Sequence, residues 1–326
     1  MEKEKKVIWG IIGCGDVAEV KSGPAFQKIK HSELRMVMRR DAEKAQSFAR
    51  RHHVPHWTND AKVLLNDYHI NAVYIATPPS THLEYARLAL KAGKNIYLEK
   101  PMVRNLKEAT QLLDLAKESD QKITVAHYRR ALPAFQKVKS LIEKKAIGDI
   151  RLVEIQMLQS AKNDLIASTD ENWRVDPKIS GGGYFFDLAP HQLDLMLNFF
   201  GKFEKRNGIA SNQSKVYQAN DMVNALGRFE NGVHFTGTWA FNVNDDQCKD
   251  VCKIYGSDGM IKFSFYGDKV YLTHKGKKKK FRFENPQHIQ YPMISKTVDY
   301  FLDIGPNPCS IQEGQNVIES MEIITS

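Results

Sequence analysis

The chain has few of the features that would place it in a membrane or outside the cell. Its 326 residues include only four cysteines, at positions 14, 248, 252 and 309, with no CxxC pair. A disulfide framework is therefore not expected, and a reducing cytoplasm fits best. No run approaches the ~18 consecutive apolar residues of a membrane helix, and the run 7–12 is too short for a signal-peptide core. Cys248 and Cys252, four apart in a strand-like stretch, are too distant to bridge and are predicted to be core residues.

Motifs of nucleophilic, phosphate-loop and zinc-dependent catalysis are also missing. The sequence contains no H-E-x-x-H, no G-x-S-x-G and no Gly-Lys-Ser/Thr phosphate loop. His52, His53 and His56 form a local cluster, but it follows a helix end and lacks neighbouring Cys or carboxylate ligands. We therefore interpret the cluster as solvated surface and expect no metal site.

The charge is unbalanced toward the positive side. Lys and Arg number 47 against 38 Asp and Glu, so the formal net charge is +9. The densest basic stretch, 275–280, lies between the strand candidates 270–273 and 281–283, which predicts a lysine-rich hairpin tip that also protects a sheet edge. We therefore expect neither nucleic acid nor membrane as a partner, and look for an anionic cofactor instead.

Over about the first 125 residues, short apolar runs alternate with helical patterns, which predicts a doubly wound parallel sheet. Asp41 and Asp60 are candidate helix N-caps, and Asn105 with Glu108 resembles a capping box. These signals predict a Rossmann domain over 1–127. The strand candidates are 7–12, 34–38, 72–76, 95–98 and 123–126, and the helix candidates are 42–52, 61–66, 80–92 and 105–119.

The pattern changes after His127. An irregular segment, 160–185, precedes one strongly apolar helix, and over 205–284 short alternating runs separated by turn signals predict an antiparallel meander. We therefore expect a second domain, 128–326, of α+β class with a large, mainly antiparallel open sheet. Its other predicted elements are a strand at 150–158 and helices at 133–145, 185–200, 292–304 and 312–324.

A glycine loop follows the first strand candidate and precedes a helix. The sequence from Gly13 to Ala18 matches G-x-G-x-x-A, in which the first glycine permits a tight turn and the second lets backbone approach a pyrophosphate. The small Ala18 permits close packing of helix on strand, and the N–H groups at the helix start face the phosphates. The predicted contacts of the dinucleotide are Gly13, Cys14, Gly15, Asp16, Val17 and Ala18.

The end of the second strand bears on the choice of nicotinamide cofactor. An acidic residue there holds the NAD ribose, whereas an Arg accommodates the NADP phosphate. This strand ends in Arg39-Arg40-Asp41, and Asp41 is already explained as a helix cap. We expect Arg39 to meet the phosphate and Arg40 to stack on the adenine, so that NADP is preferred. NAD stays possible, with Asp41 on the ribose.

Three further segments point to a named family. They are Thr77-Pro78-Pro79-Ser80-Thr81-His82, Glu99-Lys100-Pro101, and Gly181-Gly182-Gly183 followed by Asp187 and His191. With the glycine loop, this order resembles the glucose–fructose oxidoreductase / inositol dehydrogenase (Gfo/Idh/MocA) family over about residues 6–200. The resemblance implies an NAD(P)-dependent oxidoreductase acting on a sugar, inositol or related polyol.

The resemblance also implies roles for individual residues. Lys100 would hydrogen-bond the reacting oxygen, His191 would be the general acid/base, and Asp187 would orient the pair. Histidine suits this chemistry, because loss of hydride from an alcohol requires a proton acceptor that titrates near neutral pH. Asp187 and His191 are four apart and can share a helix face, although Asp194 is a competing acid. The residues expected beside the nicotinamide half are Thr77, Pro78, Pro79, His82 and Glu99.

The substrate side of the site is less specific. Tyr128, Arg129, Trp173 and Arg174 match stretches that shape the substrate cleft in the family, and an aromatic face with Arg suits a polyhydroxylated ring. The family often carries Asn or another small polar residue where Tyr128 stands and Gly where Ala189 stands, which leaves the identity of the substrate open. By resemblance we also expect a homodimer or homotetramer. Two rival functions are a non-catalytic dinucleotide sensor and an enzyme that uses tightly bound NAD as an internal redox relay, giving epimerisation or glycoside cleavage.

Overall fold

The protein, seen in a computed structural model, divides into two compact units. The structure describes residues 5–161, 165 and 172–326. Unit 1 comprises Met1–Tyr128 with Pro286–Gln315, and unit 2 comprises Arg129–Asn285 with Asn316–Ser326. The units thus differ from the predicted domains 1–127 and 128–326 in one main respect, the return of 286–315 to unit 1. Part of the predicted irregular segment, residues 162–164 and 166–171, lies outside the described residues.

Unit 1 is built on a six-stranded sheet of the Rossmann type, as the sequence predicts. Its strand pairs are parallel. Strands β1, β4, β5 and β6 are largely buried, which is why they are short, mostly apolar runs. The chain order reverses between β1 and β4, and α/β sheets bind ligands outside the carboxyl ends of the strands at such a point. The strands are β1 (Val7–Ile12), β2 (Ser32–Met38), β3 (His56–Thr58), β4 (Ala72–Ile75), β5 (Asn95–Leu98) and β6 (Ile123–Val125), in the order β3-β2-β1-β4-β5-β6.

The helices of unit 1 begin where the capping residues predict. The side chains of Asp41, Asp60 and Asn105 accept the backbone N–H groups of Lys44, Lys62 and Glu108 at 3.0, 2.8 and 2.8 Å. The helix after the glycine loop starts as a π-helical turn, Val17–Ser22, and continues into α1. The helices are α1 (Gly23–Phe26), α2 (Ala42–Arg51), α3 (Ala61–Asn66), α4 (His82–Lys91, after a 3-10 turn at Pro79–Thr81), α5 (Leu106–Lys117) and α9 (Tyr291–Phe301).

Unit 2 contains an eight-stranded, mainly antiparallel sheet, which confirms the predicted class. Two antiparallel meanders, β8 to β10 and β11 to β14, flank β7, which runs parallel to β10. The strands are β7 (Ile150–Leu158), β8 (Phe203–Ser211), β9 (Met222–Phe229), β10 (His234–Ala240), β11 (Lys249–Gly256), β12 (Gly259–Phe263), β13 (Lys269–His274) and β14 (Lys277–Arg282), in the order β14-β13-β12-β11-β7-β10-β9-β8.

The remaining helices are α6 (Pro133–Glu143), α7 (Pro177–Ser180), α8 (Tyr184–Phe200) and α10 (Ile311–Thr325). α8 is buried along most of its length, which is why its sequence is apolar on nearly every face. It lies in unit 2 and carries the residues that the sequence analysis assigns to proton transfer.

Two local predictions are wrong. The turn of the last hairpin contains only Lys275 and Gly276, so Lys277–Lys280 lie in the edge strand β14 and not at the hairpin tip. An edge strand tolerates them, because lysines on an unpaired edge discourage pairing with another chain. Cys248 is exposed and not a core residue, because it lies just before β11, whereas Cys252 lies within that strand and is buried.

Candidate active site

The glycine loop lies directly against the loop that follows β4. Gly13 has φ of +94°, and a Cβ there would come within 2.8 Å of the backbone nitrogen of Thr77, so both conformation and space require glycine. Gly15, in contrast, faces open space, since a Cβ would meet nothing within 4 Å. A loop that is tight on one side and open at its second glycine fits the approach of a pyrophosphate.

The other predicted loop residues divide by burial. Asp16 is exposed and Val17 half-buried, whereas Cys14 and Ala18 are buried against the sheet. The backbone N–H of Cys14 donates to the carbonyl of Met38 at 3.2 Å, and burial raises the pKa of the Cys14 thiol to about 11. Cys14 therefore serves the loop through its backbone and stays a neutral thiol at physiological pH.

The three residues after β2 differ in their exposure and in their partners. Arg39 is half-buried and its Nη1 donates to the carbonyl oxygen of Cys14 at 3.4 Å, while Arg40 is exposed. Asp41 is occupied as the N-cap of α2, with one carboxylate oxygen accepting the N–H of Lys44 at 3.0 Å. A cationic group therefore lies beside the glycine loop, and the neighbouring acid already has a structural partner.

His82 joins two loops at the carboxyl edge of the parallel sheet. The ring is fully buried, with Nε2 2.8 Å from the carbonyl oxygen of Thr77 and Nδ1 3.1 Å from that of Pro101. Burial lowers the pKa of His82, and the carbonyls and Glu99 oppose this effect only in part. His82 thus holds the segment 77–79 to the segment 99–101, and its ring nitrogens face backbone.

Glu99 and Lys100 follow β5 at the same edge. Glu99 is 5% exposed. It accepts from the Tyr74 hydroxyl at 2.5 Å and from Gln290 Nε2 at 2.6 Å. Lys100 is half-buried, and its peptide bond to Pro101 is cis. Tyr74 and Gln290 are not among the site residues that the sequence predicts. Tyr74 resembles an ordinary core strand residue, and Gln290 lies 191 positions from Glu99, so neither carries a local signal.

The candidate residues of unit 2 are positioned by the glycine triplet before α8. Gly183, the N-cap, has φ of +79°, and a Cβ on it would lie 2.4 Å from the Cβ of Ala219. A Cβ on Gly182 would lie 2.3 Å from the ring of Phe186. The triplet is therefore required for the helix to start at this place, which in turn sets the direction of every side chain on it.

Three titratable residues follow one another along one face of α8. Asp187, His191 and Asp194 are spaced i, i+4 and i+7, which stacks them turn above turn. Arg174 Nε donates to Asp187 at 3.2 Å, and Arg130 Nε donates to both oxygens of Asp194 at 2.9 Å. His191 is 4% exposed and lies between these two acid–arginine pairs. The competing acid of the sequence analysis, Asp194, is thus fully engaged by Arg130.

The predicted substrate residues are found in different settings. Trp173 and Arg174 lie together beside Asp187, because the Arg174 guanidinium is 4.5 Å from the centre of the Trp173 ring and also bonds Asp187. Arg129 is buried elsewhere in unit 2, donating to the Phe265 carbonyl and packing 4.1 Å from the Tyr266 ring centre. Tyr128 is 4% exposed and belongs to unit 1.

Two other features bear on function. Within the described ranges, no group of three or more His, Cys, Asp or Glu side chains is arranged to hold a metal ion; in the histidine cluster, His52 lies 2.7 Å from the Glu19 carboxylate. Among the helices of the described part of the chain, none has the length and apolarity to span a bilayer.

Comparison with known families matches both halves of the chain. Residues 7–127 match a model described as an oxidoreductase family with an NAD-binding Rossmann fold, and residues 135–262 match the GFO/IDH/MocA C-terminal domain. Oxidoreductase P35 of Formosa agariphila is 50% identical over 98% of both chains. Levoglucosan dehydrogenase of Pseudarthrobacter phenanthrenivorans is 32% identical over 54% of this chain and 45% of its own.

Solved structures show the same fold over nearly the whole chain. A levoglucosan dehydrogenase in complex with NADH and levoglucosan superposes with a TM-score of 0.87 at 23% identity, covering 98% of this chain and 96% of that one. An oxidoreductase from Thermotoga maritima gives a TM-score of 0.86 at 24% identity, with the same coverage of both chains. At these identities the likeness concerns the fold.

Proposed function

The chain belongs to the Gfo/Idh/MocA family of oxidoreductases, and on that premise we propose that it is a dehydrogenase of a sugar, inositol or related polyol. The observation that carries the proposal is on α8. Buried His191 lies one turn from Asp187, which Arg174 holds, while the only other acid on that face is taken by Arg130. His191 and the carboxylate of Asp187, which Arg174 orients, thus lie one turn apart on the same face of α8. The relative that acts on levoglucosan supports a carbohydrate substrate.

We propose the following roles for these residues in the reaction. A nicotinamide dinucleotide held at the glycine loop, Gly13 to Ala18, would supply the acceptor for the hydride of the carbinol carbon. His191 takes the hydroxyl proton as the carbon–oxygen double bond forms, because imidazole titrates near neutral pH. Asp187 orients the ring, and its own position is set by Arg174. The Lys100 ammonium donates a hydrogen bond to the reacting oxygen, where negative charge develops. The reverse direction uses the same groups.

The experiment compares Lys100→Ala and His191→Ala with the wild type, with levoglucosan, D-glucose and myo-inositol as probes and nicotinamide absorbance as the readout. We expect each variant to lose turnover by about 10²- to 10⁴-fold while its dinucleotide affinity is retained. Lys62→Ala and His234→Ala, at exposed positions away from these groups, are the matched controls. Wild-type turnover in either active-site variant would remove that residue from the mechanism.

The same assay separates the two rival functions. A sensor would bind dinucleotide without turning over any probe. An internal redox relay would co-purify with cofactor and convert its substrate without net change in nicotinamide absorbance. Net reduction of added cofactor by a probe substrate is the result that the proposed dehydrogenase requires.

For the cofactor, we propose a preference for NADP, with NAD as the weaker ligand. Arg39 lies beside the glycine loop, Arg40 is exposed next to it, and Asp41 is used as a helix cap. Thermal stabilisation by each dinucleotide tests this preference. Arg39→Ala is expected to weaken NADP binding by roughly ten- to a hundredfold, the value of a charge-assisted hydrogen bond, and to leave NAD binding nearly unchanged. Lys44→Ala is the control, and stronger stabilisation of the wild type by NAD would refute the preference.

We also propose that the chain forms a homodimer or homotetramer in the cytoplasm. Ile209 and Leu226, 76% and 59% exposed, lie on the same face of adjacent strands β8 and β9. Exposed apolar groups on one face favour burial against another copy. Sedimentation of the wild type and of Ile209→Lys tests the assembly, and a wild-type monomer would contradict it. The four cysteines, which form no disulfide with one another, support the proposed reducing compartment.

A further inference from the structure

A buried polar cluster lies directly behind the loop that carries Lys100. It consists of Tyr74, Tyr97, Glu99 and Gln290, and is called here the Glu99 cluster. Glu99 is 5% exposed and the other three are fully buried. Burial of so many polar groups costs free energy unless each finds a partner. The hydrogen-bond partners of these groups therefore show which conformation of the Lys100 loop the cluster stabilises.

The Glu99 carboxylate is held at both oxygens. Oε1 accepts from the Tyr74 hydroxyl at 2.5 Å and from Gln290 Nε2 at 2.6 Å. Oε2 accepts the backbone N–H of Lys100 at 3.0 Å. Two side-chain donors thus hold Oε1 of Glu99. Oε2 holds the backbone of Lys100, the residue that we propose to contact the reacting oxygen of the substrate.

The donors themselves are oriented. Burial and the neighbouring Glu99 carboxylate raise the pKa of Tyr74 well above its usual value, so its hydroxyl keeps the proton that it donates. The pKa of Tyr97 is raised in the same way, and its hydroxyl donates to Gln290 Oε1 at 2.9 Å. Because an amide presents an acceptor at one end and donors at the other, this bond points Nε2 of Gln290 at Glu99.

Gln290 reaches the cluster from the chain segment 286–315, which returns to unit 1. Its backbone N–H donates to the carbonyl of Lys21 at 3.2 Å, in the π-helical turn that follows the glycine loop. At the same time the residue is the N-cap of α9. One residue therefore touches both the helical turn after the dinucleotide loop and the carboxylate that holds Lys100.

We propose that Gln290 and Tyr74 are positioning residues for Lys100, acting through Glu99 to fix the backbone from which the lysine side chain extends. The proposal rests on the function proposed above for Lys100. Catalytic side chains must be held within fractions of an ångström of the productive position. Positions 74 and 290 therefore each require a hydrogen-bond donor of the right length and direction toward Glu99.

The test uses the full chain with Tyr74→Phe and Gln290→Met, which remove one donor each to Glu99 Oε1 and keep approximately the same volume. Thr124→Val is the matched control. It breaks a buried bond from β6 to the same returning segment, Thr124 Oγ1 to Asn307 Oδ1 at 3.0 Å, without touching Glu99. Two readouts are taken: hydrogen exchange of the peptide containing the Lys100 amide, and kcat and KM with the probe substrate and dinucleotide that the wild type uses best.

We expect faster exchange at residues 99–103 in both variants, and a fall in kcat of roughly ten- to a hundredfold, the effect of one hydrogen bond to a charged group. Dinucleotide affinity should stay within about twofold, because the glycine loop is intact. Thr124→Val should leave both readouts at wild-type values. If Gln290→Met does not fold, the nearly isosteric Tyr74→Phe supplies the result alone.

The outcomes distinguish a failure of the positioning proposal from a failure of the function proposed for Lys100. Wild-type exchange at 99–103 in Tyr74→Phe overturns the positioning proposal, whatever the kinetics. Faster exchange with unchanged kcat also overturns it, provided that Lys100→Ala is inactive. If Lys100→Ala keeps full turnover, or the wild type turns over none of the three probe substrates, the function proposed for Lys100 or for the chain fails, and the exchange result alone decides whether the cluster holds the loop.

Discussion

The buried pair between Arg130 and Asp194 gives a sharp test of how α8 is held. Both side chains are almost completely buried, at 7% and 1% exposure, and Arg130 Nε contacts both carboxylate oxygens at 2.9 Å. The substitution Asp194→Asn removes the negative charge and takes from the buried guanidinium the carboxylate that it contacts. Breaking a buried ion pair by removing one partner costs about 3–5 kcal/mol, so we expect a loss of stability of that size.

The assay is urea unfolding, followed by circular dichroism and by tryptophan fluorescence, with the free-energy change taken from the shift in midpoint. The matched control is Glu204→Gln, which removes the carboxylate of an exposed Arg pair with Arg228. That change should have a far smaller effect, because solvent screens surface pairs. The double variant Arg130→Met, Asp194→Leu should recover most of the loss, since no unpaired charge remains.

A loss below about 1 kcal/mol in Asp194→Asn, the value of an ordinary hydrogen bond, would refute the reasoning. It would mean that the guanidinium finds another partner or water, and that Asp194 is not the structural acid of α8. In that case Asp194 would return as a rival of Asp187 beside His191. The measurement therefore bears on the catalytic assignment as well as on stability.

Three further predictions follow from single positions. Gly13→Ala should abolish dinucleotide binding in a titration, because φ of +94° and the approach of Thr77 leave no room for a Cβ; binding at wild-type affinity would contradict this. In the native protein, Cys248 alone of the four thiols should react rapidly with an alkylating reagent, since the others are buried, and Cys248→Ser should react only after denaturation. Burial opposes ionisation of Asp67, but Arg35 and the His69 N–H lower its pKa below 3.8 overall. Its stabilisation should therefore be present above pH 3.8 and lost as pH falls through the folded-state value, so the stability difference from Asp67→Asn should shrink in acid; a difference that grows in acid would contradict it.

Many elements of the fold could be predicted because their signals are local. β1 and β7 have the predicted bounds, 7–12 and 150–158, since β1 is an apolar run that ends at the glycine loop and β7 alternates in burial after the turn residues Gly148 and Asp149. The caps at Asp41 and Asp60 are confirmed because a carboxylate before a helix satisfies N–H groups within three residues of itself. The three-residue strand β3 was missed, because His56–Thr58 is too short to show any periodicity.

The candidate site was predicted as a set of residue types rather than as an arrangement. Sequence order indicated Lys100, Asp187 and His191, but not which arginine pairs with which acid on α8. The pairing depends on where 130 and 174 lie when the helix is packed, and no spacing rule reaches over 64 positions. Likewise, the sequence of a lysine run does not distinguish a turn from an edge strand. Only the pairing of β13 with β14 shows that Lys277–Lys280 form a strand.

By itself, the sequence determined the class of each half, and it located the glycine loop and the residues proposed for proton transfer. Turns, caps and periodicity act over a few residues, so they are visible in the chain. Only the tertiary structure decided that β7 lies between two meanders, that 286–315 returns to unit 1, and that Gln290 meets Glu99 there. These choices depend on which distant surfaces bury one another and satisfy one another's hydrogen bonds, which is a property of the folded chain.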